Sequence, residues 1–173
     1  MGSKVVQANW KVMPSSTEMQ AAMLAGAVSL ALLLGALIFQ YAGGLPPCEM
    51  CHWQRWPHIA AAFVGLIGSA FILAGLVPQS LTRAMALFAI AALTLSGLIG
   101  IYHAGVEWML WEGPTACTGL GFDPTAASGP DAFRVVRCDV AAWRLLGISL
   151  AGYNALFSLG AAALCLTLLR RKR

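Results

Sequence analysis

Charge is scarce in this chain: only 10% of its 173 residues are Asp, Glu, Lys or Arg, and the mean hydropathy is +0.74. A soluble domain needs far more polar surface, so that class is excluded. Internal repeats and low-complexity tracts are lacking too. The few bases form no groove-facing cluster with recognition residues, which argues against nucleic-acid binding. What the sequence has in quantity is hydrophobic residues, 59% of the total. They lie in runs between charges, from Glu18 to Glu49, Arg55 to Arg83, Arg83 to Glu107 and Arg144 to Arg170. Each run holds about the 20 apolar residues that cross a bilayer as a helix.

The expected fold class is therefore an all-α membrane protein, a bundle of four transmembrane helices forming a single domain over residues 1–173. We place the spans near 21–41, 57–77, 84–105 and 145–169, with a long loop over about 106–144. The first run is long and lacks a small-x-small exit, so it is expected to be a retained span and not a signal peptide. Val6 stands where a myristoylation signal needs Ser or Thr. In the long loop, Gly113–Pro114, Asp123–Pro124 and Ser128–Gly129–Pro130 are turn signals. Asp131 to Val140 could form a short surface helix, with Phe133, Val135 and Val136 among Arg134 and Arg137 suiting an interfacial segment.

Orientation follows from the bases. Lys4, Lys11, Arg83, Arg170, Arg171, Lys172 and Arg173 fall on one side of an even-numbered bundle, which should be cytoplasmic with both termini. The formal net charge of +4 is thus a topology signal, and the terminal bases suit anionic membrane lipids. Trp53, Trp56, Trp108, Trp111 and Trp143 lie at the outward ends of spans two to four, as an aromatic belt does. Trp53 or Trp56 could also wall a ligand pocket.

Five cysteines remain. Cys48, Cys51, Cys117 and Cys138 map to the noncytoplasmic side, where an oxidising compartment permits disulfides. Cys165 sits inside the fourth run and reads as a small buried hydrophobe. The segment Pro46–Pro47–Cys48–Glu49–Met50–Cys51–His52–Trp53–Gln54–Arg55–Trp56 puts two sulfurs within disulfide reach, just before or within the first turn of a membrane helix. Unpaired amides there favour a thiolate. Arg55 follows Cys51 by four residues, one turn further along the same face, where its positive fork can stabilise anions. Such a charge near hydrocarbon marks function, against the plainer reading of a snorkelling lipid anchor. A zinc site built from Cys48, Cys51, His52 and His58 is the weaker reading, because zinc would lock exchange and neither histidine has a metal-knuckle spacing; no metal is assigned. A purely structural Cys117–Cys138 crosslink would explain the loop but not the pair beside Arg55.

The ordered combination resembles the bacterial disulfide bond formation protein B family over nearly the whole chain. The resemblance rests on Pro47 through Arg55, on Tyr102–His103–Ala104–Gly105–Val106–Glu107–Trp108, on the loop cysteines, and on Trp143–Arg144–Leu145–Leu146–Gly147–Ile148–Ser149 with Ala151–Gly152–Tyr153–Asn154. It implies an inner-membrane protein-dithiol:quinone oxidoreductase. Such an enzyme reoxidises a periplasmic thioredoxin-fold dithiol oxidase and passes the electrons to ubiquinone, with menaquinone as the alternative acceptor. Carried over residue by residue, it implies that Cys51 faces the quinone and Cys48 exchanges with the loop. Arg55 activates the quinone, Cys117 is attacked by the partner, and Cys138 resolves. His52, Trp56, His103 and Glu107 are the secondary candidates for quinone contact, and Trp143 through Asn154 for packing helix four.

The chemistry expected of such a chain is a series of sulfur exchanges ending in two-electron transfer. Partner thiolate attacks Cys117, the loop dithiol then reduces the Cys48–Cys51 disulfide, and Cys51 thiolate donates to quinone with Arg55 stabilising negative charge. Two other classes compete. One is a noncatalytic four-span interaction protein with structural disulfides. The other is a quinone-independent thiol conduit, which needs redox cysteines reachable from both membrane faces, whereas Cys165 is solitary and the short turn near Val77–Arg83 has none. A vitamin-K-epoxide-reductase-like enzyme ranks lower, since its characteristic arrangement is missing.

Overall fold

The computed structural model describes residues 16–118 and 136–170. Its elements are α1 (Ser16–Tyr41), α2 (Glu49–Ala62), α3 (Ser69–Leu73), α4 (Thr82–Glu107), α5 (Thr115–Thr118), a two-stranded hairpin of β1 (Arg144–Leu145) and β2 (Ile148–Ser149), and α6 (Leu150–Arg170). A π-helical stretch, Phe63–Gly68, joins α2 to α3, and a 3-10 turn, Gln79–Leu81, leads into α4. Four segments are long and apolar enough to cross a membrane: Thr17–Tyr41, Glu49–Leu73, Gln79–Glu107 and Leu150–Arg170. The protein is thus a multi-pass membrane protein of the four-helix kind expected.

Several boundaries differ from the sequence expectation by four residues or more, and two of them bear on the site. The second span begins at Glu49 instead of near 57, because Pro46 and Pro47 hold the preceding chain out of the helix and Cys48 caps it. The fourth begins at Leu150 instead of near 145, because residues before it turn back on themselves: Arg144 pairs with Ser149 and Leu145 with Ile148. Leu146 and Gly147 make that turn with positive φ, 50° and 82°. Of the expected surface helix over 131–140, residues 136–140 are not helical and the rest lie outside the described residues. The turns at Asp123–Pro124 and Ser128–Gly129–Pro130 and the bases Lys4, Lys11, Arg171, Lys172 and Arg173 lie outside them as well.

Small side chains make the bundle. Ala21, Ala22, Ala25, Ala61, Ala86, Ala89 and Ala162 form one buried cluster with Ile90, Leu93 and Cys165, while Leu34, Ile38, Phe63, Leu95 and Phe157 point outward. In lipid, hydrophobicity does not drive helices together, so close van der Waals approach between small residues must. The approach is tightest where the π-helical stretch crosses α1. A methyl added at Gly65 would meet the Ala22 carbonyl oxygen and, at 2.8 Å, the Gly26 Cα. Cys165 is fully buried in this cluster, as a small hydrophobe should be.

Candidate functional site

Cys48 is the N-cap of α2, with extended backbone (φ −80°, ψ 174°), and its Sγ accepts a hydrogen bond from the Cys51 amide at 3.3 Å. The two sulfurs lie 3.0 Å apart as free thiols. That separation is about an ångström beyond a disulfide bond, so closing the pair takes little movement. Hydrogen bonding to Cys51, and after it burial, push the Cys48 thiol well above the ordinary thiol range.

The loop cysteines arrive at the same place. Cys117, on α5, is bonded to Cys138, and the Cys138 amide donates to the Cys117 carbonyl at 2.9 Å. Both are buried, at 2% and 0% exposure, in a cluster with Cys48, Met50 and Val106, against which Cys51 and Val136 pack. Four sulfurs therefore share one enclosed region at the end of the bundle where α2 begins and α4 ends. The loop reaches it because the end of α4 is pinned: Trp111 Nε1 donates to the Tyr102 carbonyl at 2.8 Å, the Trp111 ring covers Gly105, and Arg144 donates to the Glu107 carbonyl at 3.1 Å.

Behind the sulfurs runs a chain of buried polar side chains. His103 Nε2 is 3.5 Å from Cys48 Sγ and 3.7 Å from Glu107 Oε1, and its Nδ1 is 2.8 Å from Gln54 Nε2. Gln54 Oε1 accepts from Asn154 Nδ2 at 2.7 Å, while Asn154 Oδ1 accepts from His58 Nε2 and from Ser158, each at 2.8 Å. Cys48, Cys51 and His103 also form a donor set whose atoms lie within 4.8 Å of one another. It differs from the zinc set considered above, since it uses neither His52 nor His58.

A cavity of about 460 Å³ opens beside this chain. One wall is apolar, from Leu32, Ala36 and Phe39 of α1 to Tyr153 and Phe157 of α6, with the Trp143 ring tilted between Phe39 and Tyr153 at 5.0 and 6.2 Å. The other carries Cys51, Gln54, Arg55, His58, His103 and Glu107. Arg55 donates to Gln40 Oε1 at 2.7 Å, yet its Nε, together with His58 Nδ1 and Glu107 Oε2, is buried without a partner. Buried polar atoms are rarely left so. The residues that carry these atoms line the cavity, whose volume and mostly apolar wall suit a flat, mostly apolar ligand with hydrogen-bonding oxygens.

The profile of the family described as disulfide bond formation protein DsbB matches residues 18–168. The chain belongs to that family. Curated relatives named disulfide bond formation protein B include one from Pseudomonas syringae pv. tomato, 33% identical over 140 residues, 75% of this chain and 76% of the relative. Another, from Aromatoleum aromaticum, is 29% identical over 154 residues, covering 85% of this chain and 89% of the relative. A third, from Dechloromonas aromatica, is 27% identical over 158 residues. No solved structure matches.

In this DsbB-family chain the residues singled out from sequence divide in two. Cys51, Arg55, His103 and Glu107 line the cavity with Cys48, and Cys117 and Cys138 pack against the helix pair. His52 and Trp56 do not line it; both are exposed, Trp56 at 69%, on the part of α2 that faces away. Sequence reasoning missed Gln40 and gave Gln54, His58 and Asn154 no part in the cavity. The available signal was their polarity within membrane spans, which is costly unless partnered or functional.

Proposed function

We propose that this protein oxidises the dithiol of a periplasmic thioredoxin-fold protein and delivers the electron pair to a membrane quinone, as a protein-dithiol:quinone oxidoreductase of the inner membrane. The observation that carries this reading is Cys51 on the wall of a mostly apolar cavity that Arg55, His58 and Glu107 also line. A structural crosslink needs no such cavity. Quinone, when bound, accepts two electrons and two protons, and ubiquinone or menaquinone would fit the same chemistry.

The chain's own groups do the rest. The Arg55 guanidinium on the cavity wall can hold an oxygen as negative charge builds on it, and its position one turn from Cys51 puts that charge beside the sulfur that gives up electrons. The wall from α1 and α6 excludes water from the exchange. Partner thiolate breaks the Cys117–Cys138 bond and leaves with its own disulfide. The loop dithiol then reduces the Cys48–Cys51 disulfide, and that pair closes again as its electrons pass on. Basic residues near the termini support cytoplasmic termini, with the four sulfurs periplasmic.

The test is stoichiometric oxidation of a reduced thioredoxin-fold donor by purified protein, with and without added ubiquinone or menaquinone. At most two equivalents of donor, one for each disulfide, should be oxidised per protein without quinone and many with it. Multiple turnover in the absence of quinone, under exclusion of oxygen, would refute the assignment.

A further inference from the structure

The amides of Gln54 and Asn154 have only one orientation that the surrounding backbone permits. The Gln54 amide lies 3.2 Å from the Met50 carbonyl, and the Asn154 amide lies 3.2 Å from the Ser96 carbonyl. Carbonyl oxygens can only accept, so the nitrogen of each amide must face them. Each remaining oxygen then accepts: Gln54 Oε1 from Asn154 Nδ2, and Asn154 Oδ1 from Ser158 and from His58 Nε2–H. Gln54 Nε2 can only donate, and it sits 2.8 Å from His103 Nδ1. In the neutral ring Nδ1 is therefore the bare acceptor nitrogen and the proton is on Nε2. Every link in the chain runs in one sense, toward the sulfurs.

We propose that Gln54, locked by Asn154, is a positioning residue that fixes His103 as the Nε2–H tautomer, so that the ring is a hydrogen-bond donor to Cys48 Sγ. Cys48 exchanges with the loop and is released as a thiolate when the loop disulfide re-forms and resolves the mixed disulfide, and a thiolate there in a buried site needs a donor. His103 supplies it at 3.5 Å without a net charge. The same tautomer makes Nε2 a poor metal ligand, which turns the Cys48, Cys51 and His103 set toward exchange and away from metal capture. The assignment of the tautomer stands on geometry alone; its kinetic consequence rests on the oxidoreductase reading.

Nitrogen-15 NMR of histidine-labelled protein in detergent reads the tautomer directly, and with only three histidines His52→Gln and His58→Gln variants assign the signals. His103 should show a protonated Nε2 and a bare Nδ1. Gln54→Glu, whose carboxylate can only accept, should put a proton on Nδ1, and Gln54→Leu should abolish the fixed preference. In prereduced Gln54→Leu protein, closure of the Cys48–Cys51 pair on quinone addition should slow roughly tenfold or more, as expected for losing a hydrogen bond to a charged sulfur. A wild-type ring protonated on Nδ1, or a tautomer unchanged by both Gln54 variants, would overturn the proposal. Should wild-type protein show the expected tautomer but no quinone reduction, the oxidoreductase reading fails and the tautomer assignment stands. Should the tautomer respond to Gln54 while closure keeps its wild-type rate, the donor role at Cys48 is refuted.

Discussion

At the scale of single residues, Arg55 and Cys48 carry opposite electrostatic tasks. Arg55 is tied by one nitrogen to Gln40 and leaves Nε without a partner in the cavity wall, an arrangement more particular than a lipid anchor would need. Arg55→Met should insert normally yet reduce quinone about 10- to 100-fold more slowly in a single turnover, and Arg55→Lys should keep more activity because it retains charge but loses the planar fork. Quinone affinity and rate, both normalised to inserted protein, check this; wild-type values in Arg55→Met would return the residue to lipid anchoring. Cys48 is held as a thiol, first by its hydrogen bond with Cys51 and then by burial. Its folded value is raised, so the protonated form is the one the fold favours, and ionising it as pH rises past the ordinary thiol range costs stability. Cys51→Ala removes the leading cause. The pH midpoint for reaction of Cys48 with N-ethylmaleimide should move down, and an unmoved midpoint would mean that burial alone holds the thiol.

Elements explain what could be read in advance and what could not. Four spans and the capping position of the Cys48–Cys51 pair were legible because bilayer thickness and proline chemistry act on local sequence. The start of α6 was missed because Leu146 is as hydrophobic as a span residue, although it sits 90% exposed at the tip of a hairpin. The cavity chain was hidden for a different reason. Gln54, His103 and Asn154 come from three helices, and nothing local fixes how those helices rotate against one another. That rotation is set by small residues, above all where Gly65 meets Ala22 and Gly26. Gly65→Ala should push α1 from the π-helical stretch and destabilise the bundle by about 1–3 kcal/mol. Denaturation by sodium dodecyl sulfate would measure it, and stability equal to wild type would show that the contact is loose.

On the scale of the whole molecule, the loop disulfide presents a problem of access. Cys117 and Cys138 are buried against the helix pair, a favourable place for exchange with Cys48 but a closed one for a soluble thiol. In the proposed cycle the loop must therefore alternate between a position over the helix pair and one that exposes Cys117. Separating the two halves of the relay tests this. Cys117→Ser removes the sulfur that the soluble partner attacks but leaves Cys48, Cys51, Arg55 and the cavity in place. Steady-state oxidation of the thioredoxin-fold donor should fall to background, while quinone still binds and oxidises a chemically prereduced Cys48–Cys51 pair at close to the wild-type rate. If donor oxidation by Cys117→Ser stayed normal, the soluble thiols would have to reach the helix pair directly, and the buried loop disulfide would be only a clasp on the bundle. If both activities vanished in a folded variant, the loop would instead be shaping the cavity. Only loss of the first with retention of the second is what a two-disulfide relay predicts, because each half then depends on its own pair of sulfurs and the two meet only at Cys48.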